Sequence, residues 1–165
     1  MSQLVRVLRA YLIAAGVTGA GLVAYHIILA YHWMRVPENF VQMSPVLQAN
    51  QTFRVDQRPM DAALLDRGTI VAYLKDPRQP DSLLLGRVVA RPGERVSIHK
   101  GEILLNGARL SESGMGATDG EVPEIIVPRG HLFLLVDQRT GRGEWEDSRT
   151  SGPVSTGRLL GRVVR

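Results

Sequence analysis

The hydrophobic pattern divides the chain into two parts. Residues 10–34 form an almost continuous apolar run that contains no Asp, Glu, Lys or Arg. As a helix this run would be roughly 37 Å long at 1.5 Å per residue, which is enough to cross a hydrocarbon core of about 30 Å. Tyr11 at one end and Tyr31 with Trp33 at the other are typical of membrane interfaces. We therefore predict one transmembrane helix over residues 10–34, preceded by a short N-terminus over residues 1–9.

A cleaved signal peptide is the main alternative for this run. Its apolar region would span about 7 to 15 residues and end at a small-residue cleavage site, whereas this run ends in Tyr-His-Trp-Met-Arg. Arg6 and Arg9 precede the run. They favour a cytoplasmic N-terminus and a C-terminal domain on the periplasmic or extracytoplasmic side of the inner or cytoplasmic membrane. Gly16 and Ala20 have small-xxx-small spacing and are candidate contacts for other membrane helices.

The remaining residues, 35–165, show a different pattern. Short apolar runs such as 68–74, 83–90 and 131–136 have the length of strands, and several are rich in β-branched residues. Turn residues, among them Pro-Gly and Asn-Gly pairs, separate these runs. Residues 111–120 read as a surface loop. We predict a mainly β, exported domain of antiparallel strands over residues 35–165.

Composition narrows the possible functions. The net charge is +4, but Arg6, Arg9 and Arg35 flank the apolar run, so the β domain itself is nearly neutral. This distribution argues against nucleic-acid binding, which needs positive charge gathered on the folded surface. The chain has no cysteine, and its four histidines have no metal-site spacing. We therefore expect no disulfide, no metal site and no cofactor.

The order of motifs in the β domain resembles that of the signal peptidase I family of serine-lysine peptidases. Val41-Gln-Met-Ser-Pro-Val-Leu47 resembles Ser-Met-x-Pro-Thr-Leu, with Gln42 in place of the serine. Gly86-Arg-Val-Val-Ala-Arg-Pro-Gly-Glu94 resembles Lys-Arg-Val-x-Gly-x-Pro-Gly-Asp, with Gly86 in place of the lysine. The resemblance implies an antiparallel, coiled β domain close to the membrane surface. The other matching segments are residues 67–73, 105–107, 127–139, 147–154 and 161–163.

The resemblance also implies a Ser-Lys dyad, in which the serine attacks the scissile carbonyl and a neutral lysine takes its proton. Gln42 is not a nucleophile and Gly86 has no side chain, so we predict a catalytically degenerate member that is not an enzyme. Ser44 is the fallback nucleophile, because residues 42 and 44 would face the same way in an extended segment. Lys75 and Lys100 are the only lysines, and both are predicted in exposed hairpins.

Further candidate residues lie in the later motifs. We interpret four charged residues as structural scaffold, because an Arg-carboxylate pair can brace a loop without catalysis. They are Asp137, Arg139, Asp147 and Arg149. Trp145 stands in a segment that is longer than in the family, and it is either a contact anchor or a packing residue. Met43, beside Gln42, is a second candidate binding residue.

These observations leave three functional hypotheses. The first is a non-catalytic, membrane-anchored structural or assembly subunit of a membrane protein complex, with the lipid bilayer and other membrane subunits as partners. The second is a peptide-binding chaperone for exported segments, which would bind extended peptides along a sheet edge. The third is a divergent signal peptidase that uses Ser44. The sequence disfavours the third through Gly86 and favours the first.

Overall fold

The computed structural model describes residues 15–25, 30–59, 61–110, 117–141 and 145–164. Short 3-10 helices cover Ala62–Leu64 and Thr156–Arg158. The other elements, in chain order, are α1 (helical residues 15–25), β1 (Tyr31–Arg35), β2 (Thr52–Asp56), β3 (Ile70–Leu74), β4 (Leu83–Ala90), β5 (Arg95–His99), β6 (Glu102–Leu105), β7 (Ala108–Arg109), β8 (Val122–Ile126), β9 (His131–Leu135), α2 (Ser148–Ser151), β10 (Val154–Ser155) and β11 (Leu159–Val164).

Two compact units make up the chain, residues 1–32 and residues 33–165. In the first unit, α1 carries the exposed residues Gly16 and Ala20. Within the described ranges, no helix is both long enough and apolar enough to cross a membrane. Residues 10–14 and 26–29 of the predicted transmembrane helix lie outside the described residues.

The predicted helix is wrong at its C-terminal end. Tyr31–Arg35 is strand β1, which is adjacent to β2 in the sheet. The chain turns back at once, since the backbone N–H of Val36 donates to the carbonyl of Gln51 at 2.9 Å and that of Asn50 to the carbonyl of Val36 at 3.1 Å. Aromatic side chains suit a pleated strand, and the pairing with β2 outweighs the charge-free apolar run that favoured a helix.

The larger sheet has seven strands in the order β1-β2-β11-β3-β4-β9-β10. The registered pairs from β2 to β10 are antiparallel, which confirms the prediction of a mainly β, antiparallel fold. β3 and β4 form its centre, with Val71 opposite Gly86 and Tyr73 opposite Leu84. Directly opposed residues project from the same face of a sheet, so the side chain of Tyr73 lies on the face to which Gly86 belongs.

The smaller sheet has four strands in the order β7-β6-β5-β8. Asn106 and Gly107 join β6 to β7 with φ values of 51° and 82°. Such positive values at both central residues are typical of a two-residue hairpin turn, so this Asn-Gly pair forms the turn that the sequence indicated.

Two hydrophobic clusters lie within the β domain, and strands β4 and β9 belong to both. Val88 and Leu134 are buried in the first cluster. Val89 and Leu135, which follow them in the chain, are buried in the second. Because successive residues of a strand project to opposite faces, these two strands join the two clusters.

Candidate functional site

The segment that carries Gln42 is a turn rather than an extended strand. The backbone N–H of Ser44 donates to the carbonyl of Val41 at 3.0 Å, and that of Leu47 donates to the carbonyl of Met43 at 2.9 Å. The sequence predicted an extended segment in which the side chains of Gln42 and Ser44 face the same way. Because the segment is a turn, that expectation does not hold. The side chain of Met43 has 0% exposure and packs in the first cluster, so it offers no surface to a partner.

Gln42 is held by hydrogen bonds from two distant segments. Its backbone carbonyl accepts from the N–H of Gln138 at 2.8 Å. Its side-chain Oε1 accepts from the backbone N–H of Glu146 at 3.2 Å. The amide of Gln42 therefore ties the turn to the segment that precedes α2.

Gly86 lies at the centre of the larger sheet and is covered by neighbouring side chains. A Cβ atom placed on Gly86 would lie 3.0 Å from Cβ of Leu134 and 3.4 Å from Cε1 of Tyr73. The first separation is tighter than carbon atoms normally allow, so a side chain at this position requires Leu134 to shift by a few tenths of an ångström, whereas the second is an ordinary van der Waals contact. Tyr73 lies diagonally opposite Gly86 across β3 and β4, and its ring packs over the space where a side chain of residue 86 would begin.

Tyr73 connects the glycine to the segment that binds Gln42. Its hydroxyl donates to the backbone carbonyl of Glu146 at 3.1 Å. Burial raises the pKa of Tyr73 well above its ordinary value of 10.0, so this hydroxyl stays protonated at neutral pH and acts as a donor. Glu146 thus binds Gln42 through its N–H and Tyr73 through its carbonyl. The two positions that resemble the dyad, Gln42 and Gly86, are thus linked through Glu146 and Tyr73.

The lysines lie where the sequence predicted, in exposed turns or strand ends. Lys75 Nζ contacts Glu146 Oε1 at 2.7 Å, with both side chains open to solvent. Lys100 has a φ of 50° in the turn between β5 and β6.

Asp147 and Arg149 form the most deeply buried ion pair of the described residues. Asp147 has 0% exposure and caps α2 by accepting from the backbone N–H of Arg149 at 2.9 Å. Its Oδ2 also accepts from the N–H of Val136 at 3.1 Å and from Arg149 Nη2 at 2.7 Å. Carboxylates with several N–H donors of this kind hold loops in fixed geometry.

Arg149 also reaches beyond Asp147. Its Nη1 donates to the carbonyls of Asp119 at 2.9 Å and Arg139 at 3.0 Å. Its guanidinium carbon lies 4.1 Å from the centre of the Trp145 ring, a cation–π distance. Trp145 is half-buried and packs against the first cluster, so the arginine covers one face of the indole.

Asp137 pairs with a residue that the sequence reasoning missed. Arg87 Nε and Nη2 donate to its two carboxylate oxygens at 2.7 and 2.6 Å, while Nη1 donates to the carbonyl of Gly68 at 2.6 Å. Arg87 directly follows Gly86 in the motif that resembles the family's, and this position was the signal from which its role could have been predicted. Arg139 is buried, and its Nε donates to the carbonyl of Val136 at 3.2 Å.

A pocket of about 200 Å³ opens beside this site. Pro37 and Phe40 line it from the segment before Gln42, and Leu83 and Leu84 line it from the start of β4. Lys75, Asp81 and Glu146 also line it. In the described ranges, no three His, Asp or Glu side chains group together as metal ligands.

Comparison with known proteins identifies the family. The profile of the family described as "Signal peptidase, peptidase S26" matches residues 5–165. The chain belongs to this family. It is 28% identical over 127 residues to a probable signal peptidase I-2 from Synechocystis, covering 73% of this chain and 56% of that protein. It is also similar to the crystal structure of a signal peptidase I from Enterococcus faecalis, with 25% identity, a TM-score of 0.48, 61% of this chain and 97% of that chain covered.

Proposed function

We propose that this member of the signal peptidase family is non-catalytic and serves as a membrane-anchored structural or assembly subunit of a membrane protein complex. The packing at Gly86 carries the proposal. The position that resembles the family's lysine has no side chain, and a Cβ atom there would lie 3.0 Å from Cβ of Leu134, which would have to shift slightly. A general base at this position is therefore absent, and the surrounding side chains leave it little room.

The contacts of Gln42 support the same conclusion. A carboxamide oxygen that accepts from the Glu146 N–H holds the loop but is not a nucleophile. We further propose that Asp137, Arg139, Asp147 and Arg149 are scaffold, since their hydrogen bonds go to one another, to Arg87 and to backbone groups. Such a scaffold would preserve the fold of the domain without a catalytic Ser-Lys dyad.

Membrane anchoring and topology belong to the proposal as well. The charge-free run over residues 10–34 and the preceding Arg6 and Arg9 support a single-pass anchor with a cytoplasmic N-terminus. The exposed small residues Gly16 and Ala20 on α1 support a contact with a neighbouring membrane helix.

The first test is the native mass and composition of the tagged full chain, extracted from its own membranes in mild detergent. We expect it to co-purify with other membrane subunits in a fixed ratio. Replacing Ala20 with Leu is expected to weaken this association, while replacing Val17 with Leu, which enlarges a different exposed position of α1, is the matched control. A full chain that emerges alone would contradict the subunit function.

The second test concerns catalysis. We expect the purified full chain to leave exported precursor peptides intact. The decisive variant is Ser44→Ala, with Ser97→Ala in β5 as the control. Cleavage that persists in the control and is lost in Ser44→Ala would establish the divergent peptidase instead.

The pocket of about 200 Å³ favours a second function, binding of extended peptides. It lies between the segment before Gln42 and the start of β4, where an apolar peptide side chain could pack against Phe40 and Leu84. Ser82→Trp would fill the pocket, whereas Arg78→Trp adds the same ring to an exposed turn. Peptide binding that is abolished by the first change and kept by the second would favour the chaperone hypothesis.

A further inference from the structure

The pocket of about 200 Å³ at the candidate site has apolar walls and a charged rim. Phe40 and Leu84 form part of its wall and are themselves almost fully buried. The charged residues that line it are Lys75, Asp81 and Glu146, so two carboxylates stand against one ammonium. The pocket therefore combines an apolar surface with a net negative charge.

Lys75 neutralises only part of this charge. Its Nζ contacts Oε1 of Glu146 at 2.7 Å, and the two side chains are 63% and 36% exposed. Asp81 is exposed, and within the described part of the chain its carboxylate forms no hydrogen bond or ion pair. Arg158 directs its guanidinium to the backbone carbonyls of Leu74 and Lys75 and does not line the pocket. The carboxylate of Asp81 is thus available to a cation from another molecule.

A long basic side chain has the same two-part character as the pocket. Lysine and arginine lay their methylene stems along apolar surface and keep the charged head in water. Pockets for whole small molecules have volumes of roughly 300–1,000 Å³, so this smaller cavity suits a single side chain. A neutral apolar side chain would cover the carboxylates without replacing the water that they lose, and an acidic side chain would be repelled.

We propose that this pocket selects a lysine or arginine side chain of an extended peptide. The stem packs against Phe40 and Leu84, and the cation lies beside Asp81 and Glu146. The proposal rests on the proposed binding of extended peptides at this pocket, and it narrows the ligand to basic segments. Because Lys75 already contacts Glu146, it competes with the incoming cation and lowers the affinity of the pocket for it.

The test measures the binding of three peptides to the full chain in mild detergent. The peptides share one neutral sequence and a fluorescent label, and they differ at a single central residue, which is lysine, norleucine or glutamate. Norleucine keeps the stem of lysine without its charge. Fluorescence anisotropy gives the dissociation constant of each peptide. We expect the lysine peptide to bind roughly fivefold more tightly than the norleucine peptide at low salt, and the glutamate peptide to bind most weakly. The advantage of lysine should shrink as salt is added, because the charged groups are exposed.

Two substitutions assign this preference to the pocket. Asp81→Asn removes the unpaired charge and keeps the shape, so the lysine and norleucine peptides should then bind about equally well. Lys75→Met removes the competing ammonium and keeps the stem, so the preference for lysine should rise by about threefold. Asp66→Asn is the matched control. It removes an exposed carboxylate before β3, at the end of the strand opposite to Lys75, and should leave the preference unchanged.

Three other outcomes would overturn the inference. A norleucine peptide that binds wild type as tightly as the lysine peptide would refute the preference for a cation and leave peptide binding intact. Absence of binding by all three peptides, or binding that Ser82→Trp does not reduce, would refute peptide binding at this pocket and the inference with it. An equal loss of preference in Asp66→Asn and Asp81→Asn would show a general attraction to the surface charge of the protein rather than a site.

Discussion

Arg149 makes several different stabilising contacts at once. It pairs with the buried Asp147, donates to the carbonyls of Asp119 and Arg139, and covers Trp145. The sequence predicted the pairing of Arg149 with a carboxylate. It did not predict the carbonyl contacts, because Asp119 lies in a distant loop and only the folded chain brings it near.

We expect Arg149→Ala to lower the free energy of unfolding by about 3 to 5 kcal/mol, because it leaves Asp147 buried without its cation. Arg149→Lys should lose less, since an ammonium keeps the charge but cannot reach the carboxylate and both carbonyls together. Thermal and urea unfolding of the full chain in mild detergent would measure both. Arg78→Ala, on an exposed turn, is the control and should stay within about 0.5 kcal/mol of wild type. Equal effects of all three substitutions on the free energy of unfolding would contradict the stabilising role of Arg149.

Asp56 makes the stability of the domain depend on pH in the acid range. Hydrogen bonds from the Arg58 side chain, and further contacts with Arg162, hold the pKa of Asp56 below its ordinary value of 3.8 despite its burial. A carboxylate with a lowered folded-state pKa contributes stability above its unfolded pKa, and this contribution is lost as the pH falls through the folded pKa.

We therefore expect Asp56→Asn to cost about 2 to 3 kcal/mol at pH 7, and the difference from wild type to shrink below about pH 4. Urea unfolding at a series of pH values would show the two stability curves converging in acid. Asp81→Asn, at an exposed position, is the control and should run parallel to wild type. A constant difference between Asp56→Asn and wild type down to about pH 2 would refute the linkage.

At the scale of elements, strand positions followed from the sequence wherever apolar runs stand between turn residues. The run 83–90 coincides with β4, and the run 131–136 contains β9. β2 and β10 were missed: β10 has two residues, and β2 places an arginine and an aspartate in a five-residue strand. Pairing with neighbours, rather than local pattern, makes these segments strands.

The sequence predicted part of the site, namely the residues that lie within recognisable motifs. By resemblance, motif order placed Gln42, Gly86, Asp147 and Arg149 within the family's motifs, and the folded chain links the first two through Glu146 and Tyr73. The turn at residues 42–46 was not predictable from alternation, because its shape depends on hydrogen bonds within the turn.

β11 depends on one glycine. Gly161 has a φ of 152°, and a Cβ atom there would lie 2.3 Å from the carbonyl oxygen of Asp56. The register between β11 and β3 also shifts between Leu159 and Gly161, as at a β-bulge. Only a residue without a side chain lets β2 approach β11 so closely.

We expect Gly161→Ala to destabilise the domain by about 3 kcal/mol or more, through backbone strain and steric overlap together. Gly157→Ala is the matched control, because its added Cβ would meet the Ser155 hydroxyl at 3.7 Å and its backbone needs no positive φ. Circular dichroism during thermal unfolding would compare the two. Gly161→Ala with a wild-type melting temperature would show that β2 and β11 are less tightly packed than described.

At the scale of the whole molecule, the two hydrophobic clusters are expected to unfold together, since β4 and β9 pass through both. Ile98→Ala removes buried surface from the second cluster only, and it should lower the melting temperature by about 10 °C. In a Trp33→Phe background, the remaining tryptophan is Trp145, which reports on the first cluster. Its fluorescence should shift to the same midpoint as circular dichroism; two separate midpoints would show that the sheets unfold independently.

The glycine at the centre of the larger sheet has a consequence for the history of this chain. If an ancestor had a lysine at position 86, its Cβ atom would lie 3.0 Å from Cβ of Leu134 in the present fold, which is closer than carbon atoms normally approach. A lysine regained by one mutation would press on Leu134, and position 42 would still carry a glutamine rather than a serine. If the protein is non-catalytic, as we propose, each reverse step alone brings a cost in packing or no gain in activity. Single substitutions would then give selection for cleavage no gradual route back.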